Sequence, residues 1–182
     1  MDYLKITKIA GGILLVCLLV FIQLSFLANL PFPLSAINLV FIVLCFVTLL
    51  LDYQLGWWAG CISGLLLELY SVAPFGAIII PLMVVLVLIN FLFKLLFTNR
   101  SLSSLLALST LGLVVYTLLH FFYLKLFFVF GWSTWNVRFD MPYVTGILWQ
   151  IGLVIVGLTV IFLPLRFFSR RFKSVFIVEG RR

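Results

Sequence analysis

The segment Leu55–Gly76 reads L-G-W-W-A-G-C-I-S-G-L-L-L-E-L-Y-S-V-A-P-F-G, and it predicts how the rest of the chain packs. Gly56, Gly60 and Gly64 recur at every fourth residue, so a helix places them on one face. In lipid, small residues at this spacing let two helix backbones approach closely, because packing rather than water exclusion drives helix association there. Glu68 follows four residues later, near the edge of the same face. We therefore expect its carboxylate to point to a neighbouring helix rather than to lipid.

The composition is typical of an integral membrane protein. Of the 182 residues, 65% are hydrophobic and 9% are charged, whereas soluble domains carry about 25% charged residues. The mean hydropathy is +1.35. The length suits one helical bundle without a separate soluble domain. The net charge is +7, but the basic residues cluster at the ends and connections, which indicates membrane orientation rather than nucleic-acid binding.

Six apolar segments predict an all-α fold, a single integral membrane domain with a bundle of six transmembrane helices. They cover residues 9–30, 36–51, 56–71, 77–97, 105–130 and 143–165, and a basic tail, 166–182, follows. We expect Ser35 to cap the second helix and residues 52–55 to form a tight turn. The second and third segments are short, which predicts a hairpin with little tilt or local thinning of the bilayer. A re-entrant or unwound segment is the alternative.

The distribution of basic residues predicts that both termini are cytoplasmic. Of the 12 Lys and Arg residues, this orientation leaves only Lys125 and Arg138 outside, in agreement with the positive-inside rule. It also requires an even number of spans, which six satisfies. We expect the basic tail to bind anionic membrane lipids, with a cytoplasmic protein partner as the alternative. The tail residues concerned are Arg166, Arg170, Arg171 and Lys173.

Leu55–Gly76 resembles the core motif of the rod shape-determining protein MreD family. In that family G-x-x-x-G-x-x-x-G-L-L-x-D is followed, after a short turn, by a glycine that opens the next span. Here the motif reads G-W-W-A-G-C-I-S-G-L-L-L-E from Gly56 to Glu68, with glutamate in place of aspartate, and Gly76 follows. The chain length, the short loops and a first span that ends near a glutamine and a proline-containing turn also fit. MreD resembles in fold the six-helix substrate-binding S subunits of energy-coupling-factor transporters.

The resemblance implies a non-catalytic scaffold in the bacterial inner membrane. MreD-like proteins act with a bitopic MreC-like protein and with wall-synthesis proteins, and help to position peptidoglycan synthesis in cell-shape control. Gly56, Gly60, Gly64 and Gly76 are then packing positions, and they form either an internal contact or a docking surface for a partner helix. The sequence is also compatible with a homo-oligomer. The alternative function is an S-type transporter subunit, which should hold an enclosed polar cavity on its outer side.

Polar residues within the predicted spans form a second candidate site. Glu68 is the acidic residue that lies well inside a span, and a carboxylate there is costly enough to be a functional-site hypothesis by default. Lys125 lies at similar depth. We expect either a polar cluster that joins the two or separate snorkelling of both side chains to the headgroups. A transport or proton role is a third interpretation.

His120 is the single histidine of the chain. Tyr116 shares its helix face, and Gln150 lies at comparable depth in the sixth span. These residues either form interhelical hydrogen bonds or line, with Glu68, a ligand pocket that opens outward, and a proton relay is a third interpretation. The chain shows no paired carboxylates and no nucleophile beside a base, so we predict no enzyme. The three isolated cysteines indicate buried hydrophobic positions rather than a metal site, and we predict no cofactor.

Overall fold

The computed structural model describes the backbone of residues 3–96, 102–131 and 140–168, and the side chains of residues 11–96, 102–131 and 140–164. Within these ranges all the regular structure is helical, which confirms the predicted all-α class. The main helices are α1 (Tyr3–Ser25), α2 (Leu39–Phe46, continued by a π-helix over Val47–Leu51), α3 (Tyr53–Leu69), α4 (Ile79–Leu96), α5 (Leu102–Val129) and α6 (Met141–Phe168). Each of the six predicted segments therefore has a helical counterpart.

Four helical segments are long and apolar enough to cross a membrane. They are Gly11–Asn29, Ile79–Leu96, Leu102–Val129 and Met141–Pro164. The segment Leu39–Leu51 is a shorter apolar helix, about 20 Å long at 1.5 Å per residue. With 17 residues, α3 is also short, since the hydrocarbon core of a bilayer is about 30 Å thick. The described part of the chain thus holds four candidate spans of full length, where the sequence predicted six.

The shortest of the main helices, α2, lies at the centre of the bundle. It packs against α1, α3, α5 and α6, and α4 packs against the π-helix that follows it. Its buried apolar side chains point in all directions: Val40, Phe41, Ile42, Leu44, Cys45 and Phe46, followed by Leu49 and Leu50 in the π-helix. A helix that is apolar on every side is stable when its neighbours surround it. The first helix contrasts with α2, because only 11% of the apolar segment Gly11–Asn29 is buried.

The starts of α2 and α3 differ from the sequence prediction. The cap of α2 is Asn38, whose Oδ1 accepts a hydrogen bond from the Phe41 N–H at 3.0 Å. The prediction that Ser35 caps this helix is therefore wrong, and Ser35 lies in a short 3-10 turn before it. Asp52 caps α3 by accepting from the Gln54 N–H at 3.1 Å. Residues predicted to form a turn before α3 therefore belong to its first turn.

The side chain of Gln23 in α1 makes two hydrogen bonds to the connection between α1 and α2. Its Nε2 donates to the Ile37 carbonyl oxygen at 2.8 Å, and its Oε1 accepts from the Leu39 N–H at 2.7 Å. One amide thus pairs with the backbone on both sides of Asn38, in the way that a neighbouring strand would. Gln23 therefore positions the residue that caps the central helix.

Candidate functional site

The glycine face of α3 is an internal packing surface, and its first position contacts the π-helix. Gly56 is buried. A methyl group added to Gly56 would overlap the Thr48 hydroxyl and lie 3.0 Å from the Thr48 Cα. Thr48 is itself buried, and its hydroxyl has no hydrogen-bond partner among the described residues. The backbones of α3 and the π-helix therefore approach as closely as a glycine allows.

The next two glycines of this face pack against α4, and both are buried. A methyl group on Gly60 would meet Leu86 Cδ1 at 2.5 Å, and one on Gly64 would meet Ile79 Cγ1 at 3.1 Å and Ile79 Cα at 3.4 Å. The sequence left open whether this face is an internal contact or a docking surface. In the described structure, α4 and the π-helix occupy it.

Glu68 lies at the end of this face and holds the start of α4. Its side chain is 4% exposed. Oε1 accepts from the Ile78 N–H at 3.2 Å, and Oε2 accepts from the Ile79 N–H at 3.0 Å. The first amides of a helix lack acceptors within the helix, and the helix dipole favours negative charge at that end. The carboxylate therefore points to a neighbouring helix, α4, and binds the backbone amides at the N-terminus of that helix.

Gly76 lies in the turn between α3 and α4, under the side chain of Tyr123. The Ala77 N–H donates to the Pro74 carbonyl oxygen at 3.1 Å, and Gly76, the third residue of this turn, has a φ of +95°. A type II turn needs a positive φ at that position, which favours glycine. A methyl group on Gly76 would also overlap the Tyr123 hydroxyl, which donates to the Phe75 carbonyl oxygen at 2.9 Å.

His120 supplies a hydrogen bond that a proline has removed. Its Nδ1 lies 2.6 Å from the Ala77 carbonyl oxygen, and since a carbonyl oxygen only accepts, Nδ1 is the protonated nitrogen in this contact. In a regular helix, that carbonyl would accept from the N–H four residues later. Pro81 occupies that position and has no N–H. The Tyr116 ring lies parallel to the imidazole, with 6.0 Å between the ring centroids.

We name Glu68, His120 and Tyr123, together with the backbone groups that they bind, the hairpin clamp. It joins α3 and α5 to residues 70–78, which connect α3 to α4. With its help, every carbonyl from Pro74 to Ile78 has a hydrogen-bond donor. In chain order, the donors are the Ala77 N–H, the Tyr123 hydroxyl, the Ile80 N–H, the His120 Nδ1–H and the Leu82 N–H. The clamp is a structural fastening whose polar groups face the protein's own backbone.

Two of the polar candidates lie outside the clamp. Lys125 is exposed, with its Nζ 5.7 Å from the centroid of the Phe121 ring. The structure therefore does not pair Lys125 with Glu68, whose carboxylate binds the backbone amides of Ile78 and Ile79. Gln150 is half-buried on α6, and within the described part of the chain it makes no hydrogen bond to the clamp.

The tail candidates are Arg166, Arg170, Arg171 and Lys173. The last three, and the side chain of Arg166, lie outside the described residues.

Tyr123 belongs to the clamp, and Pro81 leaves open the carbonyl that His120 binds, but neither was predicted as a site residue from the sequence. A signal for them was present. Pro81, in the first turn of a helix, leaves the carbonyl of Ala77 without a donor. His120 and Tyr123 are three residues apart on α5, so one helix face can offer two donors to the same loop. What the sequence lacks is any sign that α5 lies beside the α3–α4 connection.

The structure also contains an open apolar groove of about 500 Å³ along α5. Its lining consists of Leu106, Ala107, Thr110, Leu111, Val114 and Val115. No residue of the hairpin clamp lines this groove. Among the described residues, no group of three or more His, Cys, Asp or Glu side chains could hold a metal ion. Comparisons of the chain with protein-family models, curated proteins and solved structures find no match.

Proposed function

We propose that this chain is a non-catalytic scaffold of the MreD type in the bacterial inner membrane, with six spans and both termini in the cytoplasm. The motif in Leu55–Gly76 supports the functional class, and the four full-length apolar helices support insertion in a membrane. In this arrangement α2 and α3 form the remaining two spans as a short hairpin inside the bundle. The proposed partners are a bitopic MreC-like protein, wall-synthesis proteins and membrane lipids.

The observation that carries this proposal is the direction of the polar groups in the hairpin clamp. Glu68 and His120 bind the protein's own backbone. A small-molecule site needs several polar groups that converge on a cavity and are free to bind the ligand. Side chains that fasten a hairpin instead give the bundle a fixed surface, which suits a protein that acts by binding partners. This weighs against the S-type transporter subunit.

Purification of the tagged full-length chain from its native membranes in mild detergent tests the proposal. We expect mass spectrometry to identify an MreC-like protein and wall-synthesis enzymes, and we expect depletion of the chain to make rod-shaped cells round. Recovery of an ATPase-bearing transport module would support the transporter subunit instead. Unchanged cell shape after depletion would also contradict the scaffold.

A matched variant, Gly60→Leu, separates an effect on partner capture from an effect on the fold. Since Leu86 and Met83 pack against Gly60, we expect this variant to lose thermal stability and partner capture together. Loss of capture with unchanged stability would instead assign the glycine face to a partner.

A further inference from the structure

The hairpin of α3 and α4 ends well short of the end of α5. Tyr123, which binds the Phe75 carbonyl, precedes the last residue of α5, Val129, by six residues, or about 9 Å of helix. The side chains of a helix lean towards its N-terminus, which places the contact still further from that end. α5 has 28 residues, about 42 Å, and exceeds the hydrocarbon core of about 30 Å by roughly 6 Å at each end if it is centred. The tip of the hairpin then lies at or below the boundary of the acyl chains.

The exposed side chains of this connection are apolar or aromatic. Val72 is 81% exposed and Phe75 is 69% exposed. Together with Leu69 and Tyr70 they form the outer surface of the hairpin tip. The sequence contains no charged residue between Glu68 and Lys94. In water, a surface of this composition would be unfavourable.

The tip continues an apolar stripe on the outer face of α4. Exposed residues recur along that helix at intervals of three or four, as one face requires. They are Ile80, Val84, Val87 and Phe91. Ile80 is adjacent to the turn, with its Cδ1 2.9 Å from the position that a Gly76 Cβ would occupy. The apolar surface therefore extends past the end of the helix into the connection.

An irregular backbone is unfavourable in lipid unless its polar groups are bonded within the protein. The backbone carbonyls of the second half of the connection meet this requirement. The carbonyls from Pro74 to Ile78 all have donors, and Glu68 accepts from the Ile78 and Ile79 amides. In the first half, Ser71 Oγ accepts from the Ala73 N–H at 3.0 Å. The hydrogen bonds that fasten this loop are thus of the kind that lipid contact demands.

We infer that the tip of the α3–α4 hairpin is immersed in the membrane, with Val72 and Phe75 in contact with acyl chains just below the headgroups. The inference depends on the membrane placement in the proposed function, and it specifies how deep in the bilayer the α3–α4 connection lies. Lipid fits better than a protein partner because the tip has no charged group and is continuous with the exposed stripe of α4. The hairpin clamp therefore supplies backbone hydrogen bonds to a turn at a depth where regular helix is otherwise favoured.

Spin labels in lipid bilayers test this depth. Val72→Cys and Phe75→Cys each replace an exposed side chain that makes no clamp hydrogen bond, so either can serve if the other variant misfolds. Val87→Cys on the α4 stripe is the control for lipid, and Val129→Cys at the end of α5 is the control for the aqueous interface. Cys17, which is exposed, is changed to Ser in all variants. The purified full-length protein is reconstituted in phosphatidylcholine–phosphatidylglycerol vesicles, and collisions with oxygen and with a water-soluble nickel chelate are measured.

We expect the oxygen-to-nickel collision ratio at 72 and 75 to be several-fold higher than at 129 and to approach the value at 87. A ratio at 72 and 75 equal to that at 129 would overturn the inference, since the tip would then be in water. Immobilised labels shielded from both reagents would also overturn it, because a second copy of the chain would then cover the tip. High nickel accessibility at 87 as well would mean that the membrane placement itself fails.

Discussion

The two connections that precede α2 and α4 are both fastened by a long polar side chain, but the chemistry differs. At the start of α2, Gln23 donates to one carbonyl and accepts from one amide. At the start of α4, Glu68 accepts from two consecutive amides. A neutral amide matches a backbone that presents one donor and one acceptor, whereas a carboxylate matches two donors that point the same way. The choice of residue follows the backbone groups that each helix start leaves unpaired.

The two connections also differ in how many helices fasten them by side-chain hydrogen bonds. Gln23 fastens its connection from α1, the helix that precedes it. The α3–α4 connection is held from α3 by Glu68 and from α5 by His120 and Tyr123. A substitution in the second connection therefore loosens hydrogen bonds that join three helices. We expect larger losses there, and the following variants test that difference from the largest expected effect to the smallest.

Removal of the carboxylate should have the largest effect. We expect Glu68→Ala to lower the free energy of unfolding by about 4 kcal/mol, because two part-buried backbone amides lose a charged acceptor, at about 2 kcal/mol each. The measurement is a titration of the folded protein in mixed micelles with dodecyl sulfate. Glu68→Gln is the matched control, which keeps one acceptor and should lose about half as much. Equal stability of Glu68→Gln and the wild type would contradict the role of the second oxygen.

The next largest effect should come from Gly76→Ala, compared with Gly131→Ala. Both glycines have positive φ values, +95° and +72°, and a left-handed alanine costs about 1–2 kcal/mol. Only at Gly76 would the methyl group also overlap Tyr123, whereas nothing lies within 4 Å at Gly131. We expect a loss of about 3 kcal/mol at Gly76 and about 1 kcal/mol at Gly131 in the same titration. Similar losses at both positions would mean that the tyrosine does not confine the turn.

The first connection should respond more weakly. Gln23→Leu removes two neutral hydrogen bonds of a half-buried side chain while keeping its approximate volume, and we expect a loss of about 2 kcal/mol. Asn29→Leu is the control, since the Asn29 amide bonds only the nearby Ser25 carbonyl and is exposed. The dodecyl sulfate titration distinguishes the two variants. A loss at Gln23 as large as that of Glu68→Ala would remove the contrast between the two connections.

A double-mutant cycle tests whether His120 compensates for Pro81. We expect His120→Phe to cost about 1 kcal/mol because the Ala77 carbonyl loses its donor. In the Pro81→Ala background, the new N–H at position 81 can bond that carbonyl, so the same substitution should cost close to nothing. Unfolding free energies of the four proteins give the coupling. An equal cost of His120→Phe in both backgrounds would show that the imidazole does not replace the missing bond.

The smallest effect should come from Lys125→Met, measured alone and in combination with Glu68→Gln. The two side chains do not pair in the structure, so their effects on the free energy of unfolding should be additive. Lys125→Met alone should leave stability nearly unchanged, because Lys125 is exposed and its only described contact is with the Phe121 ring. A clear departure from additivity in the titration would restore the ion pair that the sequence suggested.

Local features of the sequence predicted much of the fold. The apolar segments predicted all the main helices. Segments this apolar suit a membrane, and there a helix bonds its own backbone groups internally. The four-residue glycine spacing gave the close approach of α3 to its neighbours. Glu68 was expected to point to another helix, and it binds the first amides of α4. These inferences depend only on spacing within one helix.

The details that failed depend on contacts between segments distant in sequence. Ser35 and Asn38 are both good capping residues, and only the Gln23 amide on α1 shows which of them starts α2. The sequence places Lys125 at the depth of Glu68, but depth along the membrane does not show which helix faces which. The order of helices around α2 decides that His120 meets the α3–α4 connection and that Lys125 remains outside.

The central position of α2 has a consequence for how the molecule is made. A segment of this length is too short to remain across a bilayer by its own hydrophobicity, since about 20 apolar residues are needed. Its apolar surface is favourable only once the other helices enclose it. We therefore expect stable insertion of α2 to depend on the other helices, with α2 retained by the insertion machinery until the later helices emerge. Chains truncated before α5 and α6 should then be degraded by proteases, because two of the helices that cover α2 are missing.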